Sequence, residues 1–222
     1  MLMNTKESFV ITISREIGSG GRTVGKILAE RLGVRYCDKD LIKALRDKFG
    51  LTAYEIEKLK GAKKSWLSDF LQMVTPVPKA VLLNDPASDY IREFKPEVTT
   101  DDVFKAESEI LKELAAESSC VIAGRSGFFV LRDHPNKLDV FITAPRQKRI
   151  ERIMRKQNMN FETAEIIVDD VDKMRENYVK RYAGVSRNDA RNYNLCINMD
   201  GLTEEQAADI VLAYIQVKPR FK

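Results

Sequence analysis

Short apolar, β-branched runs alternate along the chain with longer stretches in which apolar residues recur every three or four positions. The first pattern is typical of buried strands and the second of amphipathic helices. We expect strands at residues 9–14, 35–37, 119–123, 138–143 and 195–198. We expect helices at residues 22–32, 39–49, 100–117, 145–157, 161–182 and 203–216. This alternation predicts an α/β fold with a five-stranded parallel sheet flanked by helices.

We expect residues 1–222 to form a single domain. One segment of it interrupts the alternation of predicted strands and helices. Residues 51–99 contain no convincing strand, and four prolines divide them into short apolar stretches. We interpret this segment as an inserted, mostly helical region, because long structureless loops inside a compact domain are uncommon. An irregular surface excursion is the alternative.

Composition narrows the class of protein. No apolar run approaches the ~20 residues of a membrane-spanning helix, and the N-terminus lacks the pattern of a secretion signal. We therefore expect a cytoplasmic protein with no membrane partner. A zinc site is disfavoured because His134 is the only histidine and the three cysteines are widely separated, so we expect buried structural thiols. A net charge of +4 suits anionic ligands without indicating nucleic acid.

A glycine-rich segment, SREIGSGGRT at residues 14–23, leads from the first predicted strand into the first predicted helix. Glycines let backbone N–H groups turn onto an anion, and the following helix start adds unpaired N–H groups and a positive dipole end. The standard phosphate loop G-x-x-x-x-G-K-[ST] has lysine where Gly21 stands, and Arg22 follows. Arg22 is then the candidate cation and Thr23 the candidate hydroxyl. A turn that binds no ligand is the alternative.

Five stretches together resemble the cytidylate kinases and, more closely, the cytidylate-kinase-like family of bacterial P-loop proteins. The resemblance covers nearly the whole chain. The stretches that carry it read ISREIGSGGRTVGKILAERLG, RYCDKDLI, CVIAGRSGFFVL, DVFITAPRQKRIERI and RNYNLCINMDGL. The first and third are the specific ones. The resemblance implies a P-loop NTPase fold, ATP and Mg²⁺ as cofactors, and phosphoryl transfer to a nucleoside monophosphate, CMP or dCMP above others.

The same resemblance assigns the donor site. Cytidylate kinases carry GSGKGT in this loop, so Gly18, Ser19, Gly20 and Thr23 match, while Gly21 and Arg22 replace the lysine and glycine. The implied function of residues 18–23 is to bind the donor phosphates, and Thr23 is the implied metal contact.

The acceptor site is implied by further matches. Gly124 and Arg125 match the first two residues of the family's GRD motif, and Ser126 replaces its aspartate. Arg125 is the implied contact to acceptor phosphate, and Asp38 matches an aspartate near the acceptor. We expect residues 158–187 to form a lid that closes over the site. The implied catalytic set is Arg22, Arg125, Arg149, Arg175 and Arg181.

Arginine and lysine side chains also form a stripe on the predicted helix from residue 145. Arg146, Arg149, Arg152 and Lys156 are spaced by three and four residues, so they share one face. A solvated face is the simplest interpretation, with Arg149 the exception. Nucleic-acid binding is disfavoured because no aromatic residues interleave the stripe.

Two other functions remain open at the level of sequence. A kinase of another small acceptor would keep the fold, with the 51–99 insert shaping the pocket. A nucleotide-binding regulator without catalysis is suggested by the missing lysine and by GRS in place of GRD. The expected partners are nucleotide substrates, and a homodimer stays open.

Overall fold

The computed structural model of the protein describes residues 5, 7–38, 50, 99–124 and 126–217. The predicted helix at 39–49, all of the predicted insert except its last residue, and Arg125 lie outside these residues. In the described part of the chain, no helix is both long and apolar enough to cross a membrane.

Five parallel strands form one sheet in the order β2-β3-β1-β4-β5. They are β1 (Val10–Arg15), β2 (Arg35–Cys37), β3 (Cys120–Ala123), β4 (Lys137–Thr143) and β5 (Leu195–Asn198). The predicted five-stranded parallel sheet is therefore confirmed, with every strand boundary within one residue of its predicted position.

Helices cover both faces of this sheet. They are α1 (Gly21–Leu32), α2 (Thr100–Glu117), α3 (Gly127–Val130), α4 (Arg146–Gln157), α5 (Phe161–Ala183) and α6 (Glu204–Gln216), with a 3₁₀ turn at Ala190–Asn192. The sequence missed α3 and the 3₁₀ turn, because one turn of helix is too short to show a helical period. The start of α6 is fixed by reciprocal bonds between Thr203 and Gln206, in which each side chain accepts from the other's backbone N–H.

The core has two parts, one on each face of the sheet. Alternate residues of a strand point to opposite faces, so Ile11 and Ile13 pack with α1 and α6, whereas Val10 packs with α2. Cys37 and Cys120 are buried, but Cys196 is exposed, so the expectation of three buried thiols is wrong for Cys196. Cys196 alternates with Ile197 along β5, and Ile197 is the residue that points into the core, so Cys196 points to the opposite face.

The strand order determines where a ligand can bind. β1 lies at the centre, and the chain crosses from β3 on one side of it to β4 on the other. In open parallel sheets the crevice at the carboxyl ends of the strands, at such a reversal, is the usual ligand site. The glycine-rich loop leaves β1 at this edge and continues directly into α1.

Candidate functional site

The glycine loop adopts a conformation that requires its glycines. Gly18 has φ +79° and Gly20 has φ +90°, in the left-handed region that other residues seldom adopt. A Cβ on Gly18 would also lie 2.6 Å from the carbonyl oxygen of Arg149. The loop therefore lies directly against the backbone of α4.

Backbone N–H groups remain available at the start of α1. Gly20 is the residue that caps α1, no side chain caps the helix, and its first turn carries no acidic residue. Within the described residues, the amides of Gly18 and Gly20 donate to no protein acceptor, and the Gly21 amide makes only a long bond of 3.4 Å to Ser19 Oγ. Such a helix start favours an anion, because it combines unpaired donors with a positive dipole end.

A buried ionic network holds the loop from below. Asp172 Oδ1 accepts from the Ile17 amide at 3.1 Å, and Asp172 Oδ2 accepts from Arg149 Nη1. Arg149 Nη1 also donates to the Ile17 carbonyl at 3.3 Å, and Arg149 Nε donates to the Ala144 carbonyl at 3.1 Å. Arg187 Nη2 lies 3.4 Å from Asp172 Oδ1. Because the side chains of Arg149 and Arg187 are only 8% and 4% exposed, this network fixes the loop to α4 and α5.

A cationic cavity of about 390 Å³ opens above the loop. Its walls combine loop residues with α1, α4 and α5, and one carboxylate, that of Glu16, is among them. The basic side chains that line it are Arg15, Arg22, Lys26, Arg152, Lys156 and Arg175.

The charges of this cavity repel one another. Burial lowers the pKa of Lys156, and the neighbouring charge of Arg152 lowers the pKa further, followed by those of Arg22 and Lys26. The negative charge of Glu204, which also pairs with Arg152, opposes this effect and raises the pKa of Lys156. Glu16, the one carboxylate among the described residues that line the cavity, already accepts from Thr143 Oγ1. A polyanion in the cavity would relieve this repulsion, because opposite charge favours the protonated form of lysine.

Arg22 and Asp38, which the sequence assigned to donor and acceptor, lie together. Arg22 Nε is 2.7 Å from Asp38 Oδ2, and the Asp38 side chain is 1% exposed. Tyr36 Oη donates to the Arg22 carbonyl at 3.3 Å. Burial, with the nearby charge of Asp38, raises the pKa of Tyr36 to about 12, so its hydroxyl keeps its proton. The end of β2 thus orients Arg22 at the cavity.

The structure brings most of the predicted donor residues to the cavity. Gly18, Gly20, Gly21, Arg22, Thr23 and Arg175 line it. Ser19 is buried and its hydroxyl donates to the Glu16 carbonyl at 2.9 Å, inside the loop. Arg149 is not among the lining residues and lies beneath the loop. Arg125 lies outside the described residues.

Arg175 and Arg181 lie on the same helix, α5, but in different surroundings. This helix runs unbroken over Phe161–Ala183, inside the segment predicted to form a lid. Arg175 lines the cavity, and its Nη1 donates to the Arg15 carbonyl at 3.2 Å. Arg181 is exposed and pairs with Asp101 at 2.9 Å, so the structure does not bring it to the cavity.

Sequence reasoning did not assign to the site four basic residues that line the cavity, Arg15, Lys26, Arg152 and Lys156. Two of them belong to the basic stripe of α4, whose members have different surroundings. Arg146 forms surface ion pairs with Glu165 and Asp169, Arg149 is buried, and the two later members face the cavity. For Lys26 the available signal was its position four residues after Arg22, which places both on one face of α1.

Few of the described residues at the cavity are groups that bind a metal ion. Among the described residues, no three histidine, cysteine or acidic side chains are grouped as a metal site. Mg²⁺ commonly keeps several waters and binds through substrate phosphates with few protein groups. Thr23, which lines the cavity, offers one hydroxyl for that arrangement.

Comparisons with known proteins agree with this fold and loop. The cytidylate kinase-like family matches residues 10–201. A cytidylate kinase of Sulfurisphaera tokodaii is 24% identical over 210 residues, which are 93% of this chain and 94% of that protein.

Solved structures share the fold at lower identity. An uncharacterized protein from Eubacterium ventriosum has a TM-score of 0.65 at 22% identity, covering 95% of this chain and 99% of that one. A shikimate kinase from Bacteroides thetaiotaomicron has a TM-score of 0.53 at 14% identity, covering 95% and 100%. The fold is thus the P-loop NTPase fold predicted from the sequence. From the match over residues 10–201, the chain belongs to the cytidylate kinase-like family.

Proposed function

We propose that the protein transfers a phosphoryl group from ATP to a nucleoside monophosphate, with CMP or dCMP as the acceptor. The observation that carries this proposal is the cationic cavity above a glycine loop at the carboxyl edge of the sheet. Membership of the cytidylate kinase-like family and a relative named cytidylate kinase support the coarser statement, a nucleotide-binding kinase.

The donor phosphates bind between the loop and α4. Residues 18–22 offer backbone N–H groups, and Arg22, Lys26, Arg152 and Lys156 offer positive charge. Phosphoryl transfer needs little covalent help from the protein, so positioning and charge neutralisation are the main contributions. A cavity lined by six basic side chains and one carboxylate supplies both.

The acceptor binds towards the end of β3. By family resemblance, Arg125 contacts the acceptor phosphate and Asp38 orients the acceptor indirectly, through Arg22, with which it pairs. Residues 51–99 contribute the acceptor-binding region, and residues 158–187 close the site as a lid that carries Arg175. Arg149 acts as a positioning residue, because its guanidinium bonds to the loop carbonyl of Ile17. For Arg181, whose partner is Asp101, nothing at the cavity supports a catalytic role.

Mg²⁺ accompanies the donor in this proposal. Thr23 would hold it through its hydroxyl, with the remaining positions taken by phosphate oxygens and water. When bound, the ion neutralises charge on the donor phosphates. The protein's own contribution is to fix Thr23 on the first turn of α1 through the bond from the Thr23 amide to the Gly20 carbonyl, 2.8 Å long.

The direct test is a panel of acceptors with labelled ATP. The panel contains CMP, dCMP, UMP, AMP and GMP, together with small hydroxylated metabolites. We expect labelled CDP or dCDP to form faster than any other product. If only a metabolite is phosphorylated, the acceptor is another small molecule and not a nucleoside monophosphate. If ATP binds and no acceptor is phosphorylated, the protein is a nucleotide-binding regulator without catalysis.

The regulator is the second candidate, and one observation favours it. No lysine stands at position 21, and the aspartate of the GRD motif is replaced by Ser126. Calorimetry with ATP separates the two functions when combined with the acceptor panel, because the regulator binds ATP and turns over nothing.

A further inference from the structure

The loop departs from the standard pattern G-x-x-x-x-G-K-[ST] at three positions. Arg22 stands in place of [ST], and the other two departures are related to each other. In G-x-x-x-x-G-K the first glycine precedes the lysine by six residues. Aligned on Gly20, the lysine position is Gly21 and the first glycine position is Arg15. The chain has therefore a basic residue where the pattern has glycine, and glycine where the pattern has the basic residue.

These two positions share the same space in the folded protein. A Cβ built on Gly21 would lie 2.7 Å from Arg15 Cβ and 3.2 Å from Arg15 Cγ. Real Cβ atoms do not approach other carbon atoms to 2.7 Å, so the stem of Arg15 occupies the volume in which a side chain at position 21 would begin. The absence of a side chain at Gly21 is what lets Arg15 cross the start of α1.

The other end of Arg15 is positioned by a second glycine. A Cβ on Gly124 would lie 1.8 Å from Arg15 Nη1, and Gly124 has φ +79°. The guanidinium therefore rests against the backbone at the end of β3, next to the proposed acceptor side. At its base, the Arg15 carbonyl accepts from Arg175 Nη1 at 3.2 Å. Arg15 also lines the cavity.

We propose that Arg15 supplies the positive charge that the lysine supplies in the standard loop, and that it contacts the bound polyphosphate from the β1 side. This inference rests on the proposed function, in which ATP is the donor. Arg15 reaches from the loop towards the end of β3, so its planar fork can contact phosphate oxygens where donor and acceptor meet.

The first experiment measures binding of ATP and of inorganic tripolyphosphate by calorimetry. Arg15→Met keeps an unbranched stem against Gly21 and removes the charge. We expect both ligands to bind about 10- to 100-fold more weakly, the range for losing a hydrogen bond to a charged group. The matched control is Arg191→Ala, because the Arg191 side chain is 89% exposed and pairs with Asp189 away from the cavity. We expect the control to bind as the wild type does.

The second experiment places at positions 15 and 21 the residues that the standard pattern has there, glycine and lysine. Gly21→Lys alone should weaken binding, because the new side chain collides with Arg15. Arg15→Gly alone should weaken binding through the lost charge. The double variant Arg15→Gly/Gly21→Lys has the G-x-x-x-x-G-K part of the standard pattern, followed by Arg22, and should bind tripolyphosphate at least tenfold better than either single variant. Thermal melting of each variant identifies any loss of folding. The double variant keeps the test valid because it restores the charge and removes both contacts with Arg15, so only Ile142 Cβ, 3.1 Å from the built Cβ, must shift slightly.

Three results would overturn the inference. They are wild-type affinity in Arg15→Met, a double variant that binds no better than Arg15→Gly, and a wild-type protein that binds neither ATP nor tripolyphosphate. Tripolyphosphate binding requires no acceptor, so it is independent of the acceptor panel. If Arg15→Met loses affinity and no acceptor is phosphorylated, the proposed kinase function fails while the role of Arg15 stands.

Discussion

Replacement of Asp172 with alanine would remove the acceptor that several donors share beneath the glycine loop. Asp172 accepts from the Ile17 amide and from Arg149, and it lies 3.4 Å from Arg187 Nη2. After the change, two guanidinium groups that are 8% and 4% exposed would lose this partner. The loop would also lose the bond that fixes its Ile17 amide to α5.

The size of the effect follows from burial. Breaking a buried ion pair by removing one partner costs about 3 to 5 kcal/mol, because an uncompensated charge stays buried. Asp172 is 19% exposed, so water can partly replace it and the lower part of this range applies. For a chain of this size each kcal/mol lowers the melting temperature by about 2 to 4 °C, so a loss of about 3 to 4 kcal/mol gives a decrease of roughly 6 to 16 °C. ATP binding should weaken as well, since the loop is no longer held.

A matched control lies one turn earlier on α5. Asp169 pairs with Arg146 of α4 in the same way as Asp172 pairs with Arg149. The Asp169–Arg146 pair, however, lies at the surface, where ion pairs contribute little to the free energy of unfolding. Urea unfolding and thermal melting of Asp172→Ala and Asp169→Ala should therefore differ widely, with the second variant close to the wild type. Equal losses in the two variants, or unchanged ATP affinity in Asp172→Ala, would refute the role assigned to the buried network.

Three further predictions concern the loop and the cavity. Gly18→Ala should abolish ATP binding in calorimetry, because the new Cβ would collide with the Arg149 carbonyl. Gly201 is the control, because it also has a positive φ but open space around it, so Gly201→Ala should bind ATP normally. Lys156→Met should weaken ATP binding yet raise the urea midpoint at pH 7. Because the pKa of Lys156 is lowered in the folded state, this gain should begin to fall as the pH rises through the folded-state pKa and should be lost above 10.5, the pKa of an ordinary lysine. Arg125→Ala should abolish labelled phosphoryl transfer and leave the melting temperature unchanged, and near-wild-type transfer would remove Arg125 from the site.

The fold was largely predictable from the sequence because its strands are buried and its helices are long. Five β-branched runs predicted the strands, and helical periodicity predicted α6 to within one residue of its observed start. Strand order was not predictable in this way, because hydrophobic periodicity carries no information about which strands are neighbours. The sheet order therefore came from the structure alone.

The site was predictable in its loop and less so in its charges. Glycines at fixed spacing after a strand identify a phosphate loop because few other functions require that backbone. Arg149 and Lys156 belong to one stripe of α4, yet one is buried beneath the loop and the other lines the cavity. Their different surroundings depend on where α5 and the loop pack against α4. Likewise, Arg15 precedes the glycines, and only the close approach to Gly21 draws attention to it.

The central claim, that this loop holds a polyphosphate without the usual lysine, is tested most directly by a crystal structure of the protein soaked with ATP and CMP. The account predicts triphosphate density within hydrogen-bonding distance of the amides of residues 18–22, with Lys156 and Arg152 on its other side. Triphosphate density elsewhere on the protein, with those amides in contact only with protein or water, would contradict it.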